Sequence, residues 1–260
     1  MRIVVLVKQV PDTWSPKRLR SEDFLLDRAA ADGVINELDT YAVEEALRVK
    51  ERLGEGSVVA MTMGPPASAE AVRKALQMGA DEGVCIVDDV LAGSDAVVTS
   101  AVLAAAIRRA GFDLVITGAE STDARMGVLA AMLAEQLAVP QATLAAELAV
   151  EDGRVRIRRV TGDVESDVVA ETPAVVSVLE KINEPRYPSF KGIMAAKTKP
   201  LVTWTAAELG FSADAVGLAG SPTEVVAMEE RSTERARILV TDDGDAAARL
   251  VEFLASRQLV

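Results

Sequence analysis

The chain has 260 residues and a formal net charge of −12 at pH 7, which disfavours a surface that binds nucleic acid. It contains no histidine, which excludes a Ser-His-Asp or Cys-His catalytic site within the chain and removes the usual metal ligand. Half of the residues are hydrophobic but only 3% are aromatic. An aliphatic core of this kind suits a parallel sheet that is buried on both faces.

The single cysteine, Cys85, lies in an apolar run and is expected to be a core residue, so no disulfide can form within the chain. No uncharged apolar run approaches the roughly 20 residues that span a membrane. The chain begins directly with a strand pattern rather than a signal peptide. These features predict a soluble, cytoplasmic protein that does not insert into a membrane.

Apolar runs and helical patterns alternate through the first half of the chain. The predicted strands are Arg2–Val7, Ser57–Met63, Gly83–Val87 and Leu114–Thr117. The predicted helices are Ala42–Leu53 with Asp39 or Thr40 as its cap, Ser68–Met78, Ser94 or Asp95 to about Arg109, and Val128–Leu137. This alternation predicts an α/β fold with a doubly wound, mostly parallel sheet, which binds ligands beyond the carboxyl ends of its strands.

After Pro140 the pattern changes to short strands that are separated by turn signals, which predicts a β-hairpin extension. The strands are expected at Ala142–Val150, Gly153–Val160, Asp167–Ala170 and Ala174–Leu179. Three arginines recur at every second position here and share one strand face: Arg154, Arg156 and Arg158. They either pair with neighbouring acidic residues or form a contact surface for an acidic partner.

A proline-punctuated loop at 183–200 leads into a short helix that Ser189 is placed to cap. The loop carries Tyr187 and Phe190. From the residues alone, rings that fold back onto the domain are favoured over an exposed anchor for another protein.

The remaining residues have little periodicity before a predicted strand, Arg237–Val240, and a predicted helix, Asp245–Ser256. We therefore divide the chain into an α/β domain, 1–205, and a C-terminal arm, 206–260. Such an arm is expected to pack on a surface that another subunit supplies.

The stretch Asp113–Gly127, DLVITGAESTDARMG, has the order strand, glycine, polar loop and helix start. This layout presents backbone N–H groups to an anion at the edge of a parallel sheet, so one interpretation is a phosphate site. The alternative is that Ser121, Thr122 or Asp123 caps the following helix.

The chain resembles the β subunit of the electron transfer flavoprotein along nearly its whole length. The segments that carry the resemblance occur in the family's order: VLVKQVPDT, AVEEALRVKE, a GP turn followed by RKALQMGAD, VITGAESTD, and TPAVVSVLEKINEPR leading into NEPRYPSFKGIMAAK. Several separated matches in order are far more specific than any single motif.

The resemblance implies a heterodimer of α and β subunits with one redox-active FAD, held mostly by α, and an AMP without a redox role in β. It implies electron transfer from acyl-CoA dehydrogenases and other flavin dehydrogenases to a membrane quinone oxidoreductase. This chain would then be an electron-carrier subunit and not an enzyme, with neither catalytic nor metal-binding residues. Its C-terminal arm would pack on the α subunit.

Carried onto this sequence, the family's AMP site comprises residues of four segments: Leu6, Val7, Lys8, Asn36, Glu37, Leu38, Asp39, Met63, Gly64, Gly118, Ser121, Thr122, Asp123, Ala124, Arg125, Met126 and Gly127. The family's recognition loop corresponds to 183–200. Its partner-docking residues correspond to Tyr187, Pro188, Phe190, Ile193 and Met194. Phe190 stands where leucine is more usual, and Met126 stands where a glycine or a small polar residue is expected.

Two other functions are compatible with these residues. In a bifurcating-type β subunit a second FAD replaces AMP, although the bulk of Met126 and Trp14 favours AMP. A stand-alone adenine-nucleotide-binding module, similar to universal-stress proteins, shares the sheet but would not need residues 183–260.

Overall fold

A computed structural model of the chain describes residues 1–15, 17–229, 239 and 241–260 and divides into two units, 1–226 and 227–260. The strands are β1 (Arg2–Leu6), β2 (Gln9–Pro11), β3 (Gly33–Ile35), β4 (Ser57–Met63), β5 (Glu82–Ile86), β6 (Leu114–Gly118), β7 (Gln141–Glu151), β8 (Arg154–Thr161), β9 (Val164–Glu171), β10 (Ala174–Val178) and β11 (Leu201–Trp204). The α-helices are α1 (Glu37–Leu53), α2 (Ala69–Met78), α3 (Ala96–Ala110), α4 (Leu129–Leu137), α5 (Phe190–Ala196), α6 (Gly217–Gly220) and α7 (Ala246–Ser256).

The main sheet has the strand order β11-β5-β4-β1-β6-β10-β7-β8-β9. Neighbouring strands from β11 through to β7 are parallel, whereas β7, β8 and β9 form an antiparallel meander. The prediction of a doubly wound, mostly parallel sheet with a hairpin extension is therefore confirmed. The carboxyl ends of β1, β4 and β6 share one edge of this sheet.

Both faces of the sheet are covered by aliphatic side chains, as the composition indicates. In β1, Ile3 and Val5 face the cluster that includes α1 and α2, while Val4 and Leu6 face the cluster that includes α3 and α4. Cys85 lies in the first of these clusters, and burial raises the pKa of its thiol to about 11. The prediction that this cysteine is an unreactive core residue is consistent with that environment.

Helix α1 begins at Glu37, one turn before the predicted start at Ala42, and neither Asp39 nor Thr40 is its N-cap. The apolar stripe used for the prediction starts only at Ala42, whereas the first turn is acidic, which suits the positive end of the helix dipole. Asn36 occupies the N-cap position but makes no side-chain capping bond.

Three strands differ from the sequence-based expectations. After β1 the chain leaves the main sheet and pairs Gln9–Pro11 antiparallel with Gly33–Ile35, two short strands that were not predicted. Strand Leu201–Trp204, which was not predicted, joins the edge of the sheet in parallel with β5. A four-residue run directly after a proline carries too little periodicity to be recognised.

Residues 206–226, assigned from the sequence to the arm, lie in the first unit. There Ala206 and Val216 are buried in the core, and the Asp95 carboxylate accepts hydrogen bonds from the backbone N–H and the hydroxyl of Thr223.

In the second unit, α7 confirms the predicted C-terminal helix to within one residue, and none of its residues is buried. The predicted strand Arg237–Val240 lies outside the described residues, apart from Leu239. No helix in the described part of the chain combines the length and apolarity needed to cross a membrane.

Gly118 ends β6 in close contact with the start of α1. A Cβ atom at this position would lie 2.6 Å from Asp39 Oδ1 and 2.9 Å from the carbonyl carbon of Leu38. We expect Gly118→Ala to lower the free energy of unfolding by about 1–3 kcal/mol, because the strand end and the helix start must separate. Chemical denaturation measures this change.

Gly64→Ala is the matched control, since a Cβ atom there would meet only the Ser68 side chain, at 3.1 Å. An equal loss of stability in both variants would contradict the proposed clash.

Candidate functional site

A cavity of about 300 Å³ opens at the edge of the sheet where β1, β4 and β6 end. The predicted nucleotide-site residues that line it are Leu6, Val7, Lys8, Asp39, Met63, Gly118, Ser121, Ala124, Met126 and Gly127. The other predicted residues do not line it: Asn36, Glu37, Leu38, Gly64, Thr122, Asp123 and Arg125. Its volume lies at the lower end of the range for small-molecule sites.

Asn36 connects three segments behind the cavity wall and is completely buried. Its side-chain N–H groups donate to Asp39 Oδ1 at 2.9 Å and to the Glu120 carbonyl at 3.0 Å. Its Oδ1 accepts a hydrogen bond from the Thr122 backbone N–H at 3.1 Å. The start of α1 is thereby held against the loop that follows β6.

Asp39 extends this connection to the end of β1, because its Oδ2 accepts the backbone N–H of Lys8 at 2.8 Å. Burial raises the pKa of Asp39 to about 7, although hydrogen bonds from Asn36 and Lys8 act in the opposite direction. The carboxyl group is therefore a titratable group in the wall of the cavity.

Lys8, which lines the cavity, and Asp123 form the centre of a charged network beside it. Lys8 Nζ donates to Asp123 Oδ1 at 2.7 Å and to Ser121 Oγ at 3.2 Å, and Arg28 Nη2 donates to Asp123 Oδ2 at 3.2 Å. Burial favours the neutral acid, but the attraction of Lys8 and Arg28 outweighs it and lowers the pKa of Asp123. Arg28 was not predicted, because it comes from a long loop without periodicity.

The loop 121–127 does not form the first turn of a helix. Helix α4 begins at Leu129 without a side-chain capping bond, so the interpretation of Ser121, Thr122 or Asp123 as its cap is wrong. The Asp123 carboxylate instead forms ion pairs with the side chains of Lys8 and Arg28. Two backbone N–H groups of the loop already donate within the protein, that of Thr122 to Asn36 Oδ1 and that of Arg125 to the Ser121 carbonyl.

Sequence reasoning missed the opposite wall of the cavity. It consists of β4 residues and the first turns of α3: Met61, Thr62, Ser94, Asp95, Ala96, Thr99 and Leu103. Asp95, one of the two predicted starts of this helix, is the N-cap of α3, because its Oδ1 accepts the backbone N–H groups of Val97 and Val98. This wall could have been predicted, because the start of α3 follows strand β5 and the loops after parallel strands meet at one edge of the sheet.

Two threonine hydroxyls at the cavity are buried and have no hydrogen-bond partner among the described residues. Thr62 Oγ1 belongs to the lining, and Thr122 Oγ1 belongs to the loop after β6. Buried hydroxyls are rarely left unpaired in proteins. A ligand with polar atoms in the cavity could supply a partner for Thr62, which lines it.

Trp14 and Met126 were both expected to narrow the nucleotide site. Met126 lines the cavity, but Trp14 does not, and its side chain is 95% exposed. Only Met126 therefore limits the space for a ligand in the way that was predicted.

A second cavity of about 530 Å³ lies between α1 and β7. Its lining includes Glu45, Arg48 and Arg52, and these side chains already take part in ion pairs that involve α1 residues. It is therefore a charged surface depression rather than a second nucleotide site.

The predicted docking residues lie around α5 and are mostly exposed. Tyr187 is 93% exposed and Phe190 is 81% exposed, so the interpretation that both rings fold back onto the domain is wrong. Ile193 and Met194 are also exposed, and Pro188 is half-buried. Ser189 caps α5 as predicted, with its Oγ accepting the Gly192 N–H at 3.0 Å.

Two of the three arginines on one face of the hairpin extension, Arg154 and Arg158, take part in cross-strand ion pairs. Arg158 pairs with Glu147 at 2.6 Å and with Glu165 at 3.6 Å, and Arg154 lies 3.9 Å from Glu171. The interpretation of this face as a set of solvated ion pairs is therefore favoured over a surface for an acidic partner.

The buried carboxyl group of Asp39 leads to a pH prediction. Its pKa of about 7 in the folded protein lies above the value near 4 of an unfolded chain. Its contribution to stability is therefore fully present below about pH 4 and is lost as the pH rises through about 7. We expect wild type to lose stability relative to Asp39→Asn between pH 5 and pH 8 in thermal unfolding.

Asp152→Asn, in an exposed hairpin turn, should run parallel to wild type over this range. A constant difference between wild type and Asp39→Asn would contradict the raised pKa.

The chain is similar in sequence to known proteins of one family. A family model described as the electron transfer flavoprotein domain matches residues 23–209. The electron transfer flavoprotein subunit beta of Mycobacterium tuberculosis is 46% identical over 263 residues, covering 99% of each chain.

Two further relatives have names that include a reductase. The caffeyl-CoA reductase-Etf complex subunit CarD of Acetobacterium woodii is 34% identical, and the acryloyl-CoA reductase electron transfer subunit gamma of Anaerotignum propionicum is 36% identical. Each match covers 86% of this chain and 86% of the relative. With the family model, the full-length similarity and the parallel sheet in agreement, the chain belongs to the electron transfer flavoprotein family, among its β subunits.

Proposed function

We propose that this chain pairs with an α subunit in the cytoplasm and that the heterodimer accepts electrons from flavin dehydrogenases, acyl-CoA dehydrogenases among them. FAD, held mostly by the α subunit, would carry the electrons towards a membrane quinone oxidoreductase. The observation that carries this proposal is the 46% identity to a β subunit over 99% of both chains. The chain itself supplies binding surfaces and no redox chemistry.

The cavity at the sheet edge is proposed to hold AMP. The residues present fit a nucleotide, because the cavity combines an apolar lining with a buried hydroxyl, that of Thr62, that has no partner among the described residues. Of the segment Asn36–Asp39, which the resemblance places at the nucleotide, only Asp39 lines the cavity. N–H groups of the loop 122–127 other than those of Thr122 and Arg125 would bind the phosphate. AMP would act as a structural ligand that contacts both walls of the cavity.

A cavity of about 300 Å³ favours AMP over a second FAD. FAD contains the whole of AMP together with a ribityl phosphate and an isoalloxazine ring, and Met126 occupies part of the lining. The alternative of a bifurcating-type subunit would require a larger opening at this position.

Exposed apolar side chains support the two proposed protein partners. In α7, Leu250 and Val251 are 58% and 60% exposed, which suits a helix that packs on the α subunit. Around α5, Phe190 and Tyr187 suit a transient contact with a dehydrogenase, and burial of the Phe190 ring is worth roughly 2 kcal/mol. The reductase names of two relatives support flavoenzymes that act on CoA thioesters as the partner class.

The nucleotide content of the heterodimer tests the AMP proposal. After co-purification with the α subunit and denaturation, we expect one FAD and one AMP per heterodimer, measured by absorbance and chromatography. Two FAD molecules and no AMP would replace the proposal with the bifurcating type. ATP turnover by the isolated chain would instead favour a stand-alone nucleotide-binding module.

Removal of the exposed ring at position 190 tests the docking proposal. We expect Phe190→Ala to slow reduction of the heterodimer by its dehydrogenase about tenfold, because the apolar anchor is lost. Its flavin content should be unchanged. Val164→Ala, which truncates an exposed apolar side chain on β9, is the matched control and should react as wild type does. Loss of flavin, or normal electron exchange, in Phe190→Ala would show that the anchor is assigned wrongly.

A further inference from the structure

The docking surface, defined as Tyr187, Pro188, Phe190, Ile193 and Met194, directly follows Arg186, whose side chain is bonded to α1. We propose that Arg186 is a positioning residue that fixes how this surface is presented to the electron donor. The inference rests on the proposed docking function of the surface.

The Arg186 guanidinium engages two carboxylates of α1 at once. Its Nε and Nη2 donate to Glu44 Oε2 and Oε1 at 2.7 and 3.1 Å. Its Nη1 and Nη2 donate to Glu51 Oε1 and Oε2 at 2.6 and 3.0 Å. The two acids lie two turns apart on α1, so the planar guanidinium is held in both position and orientation.

We call this contact of Arg186 with Glu44 and Glu51 the clamp. It also holds the backbone, because the Arg186 N–H donates to Glu44 Oε2 at 3.2 Å. The next residue along the chain is Tyr187, the most exposed member of the docking surface. A bond to the main chain at 186 therefore restricts the direction in which the loop leaves α1.

Glu44 distinguishes this arrangement from an ordinary surface ion pair. Its side chain is only 4% exposed and is shared between Arg48 and Arg186. Burial favours the neutral acid, yet the hydrogen bonds from Arg186 and Arg48 outweigh it and lower the pKa of Glu44. A buried carboxylate of this kind strongly disfavours a conformation that takes Arg186 away.

Other contacts hold the flanking parts of the segment independently of Arg186. Asn183 donates to the Tyr41 carbonyl and to Glu45 Oε2 at 3.0 and 3.1 Å. Beyond α5, Lys199 Nζ donates to the Leu76 carbonyl at 2.9 Å. Because these contacts stay when Arg186 is replaced, we expect the change to loosen residues 186–190 without unfolding the segment.

A docking surface that is already in place loses less conformational freedom when the donor binds. Loss of the clamp should therefore weaken the encounter between carrier and donor and leave the electron-transfer step of the bound pair unchanged. In steady state this appears as a higher KM of the dehydrogenase for the carrier with little change in kcat.

The test uses the intact heterodimer carrying Arg186→Gln, with Arg73→Gln as a matched control. Arg73 forms a pair with Glu70 in which both side chains are at least half exposed. We expect Arg186→Gln to raise the KM for the carrier about tenfold, since charged hydrogen bonds are lost, with kcat changed less than twofold. Hydrogen exchange at residues 186–190 should become faster, and Arg73→Gln should match wild type in all three measurements.

Glu51→Gln keeps the experiment decisive if Arg186→Gln does not fold, because it removes only the exposed half of the clamp. It should raise the KM by a smaller factor. Arg186→Lys should only partly restore the KM, since an ammonium group cannot form two forked pairs. Full recovery by lysine would overturn the proposed geometry.

Two outcomes separate this inference from the proposed function. If Phe190→Ala raises the KM but Arg186→Gln and Glu51→Gln do not, the positioning role is wrong and the docking function stands. If Phe190→Ala has no effect on the KM, the docking function fails, and the role of Arg186 fails with it. A fall in flavin content or kcat in Arg186→Gln would identify a general structural role and overturn the inference.

Discussion

The candidate site depends on one buried polar connection, from the end of β1 through Asp39 and Asn36 to the loop after β6. Asp39 accepts the Lys8 N–H, Asn36 donates to Asp39, and the Thr122 N–H donates to Asn36. A buried polar group left without its partner costs about 1–3 kcal/mol, so these segments are held in register. The wall of the cavity is therefore built from the protein's own hydrogen bonds.

Helix α1 joins the two proposed functions of the chain. Its first turn carries Asp39 at the cavity, its middle carries Glu44 and its last turn carries Glu51. The two glutamates hold Arg186 beside the docking surface. A continuous helix is a rigid spacer, because each turn is fixed by backbone hydrogen bonds. Under the proposed function, one helix thus sets the distance between the nucleotide and the surface that meets the electron donor.

Much of the fold could be predicted because strands buried on both faces leave continuous apolar runs. Leu114–Thr117 was recognised on this ground, and the alternation with helices then implied a parallel sheet. The prediction of helix and strand boundaries was wrong where the sequence pattern does not reflect the residue's environment in the fold. The polar first turn of α1 lacks the apolar stripe, and Leu201–Trp204 is too short to show a period, so its strand pairing comes from the neighbouring β5 alone.

The sequence by itself determined the fold class, the family and the loops that follow the strands at the cavity edge of the sheet. These features follow from patterns that are local in the chain. Only the tertiary structure decided which polar groups meet. Asp123 binds Lys8 and Arg28 instead of capping α4, and Glu44 is shared with Arg186 across the fold. Such partners lie between 95 and 142 residues apart along the chain, and only the topology of the sheet brings them within hydrogen-bonding distance.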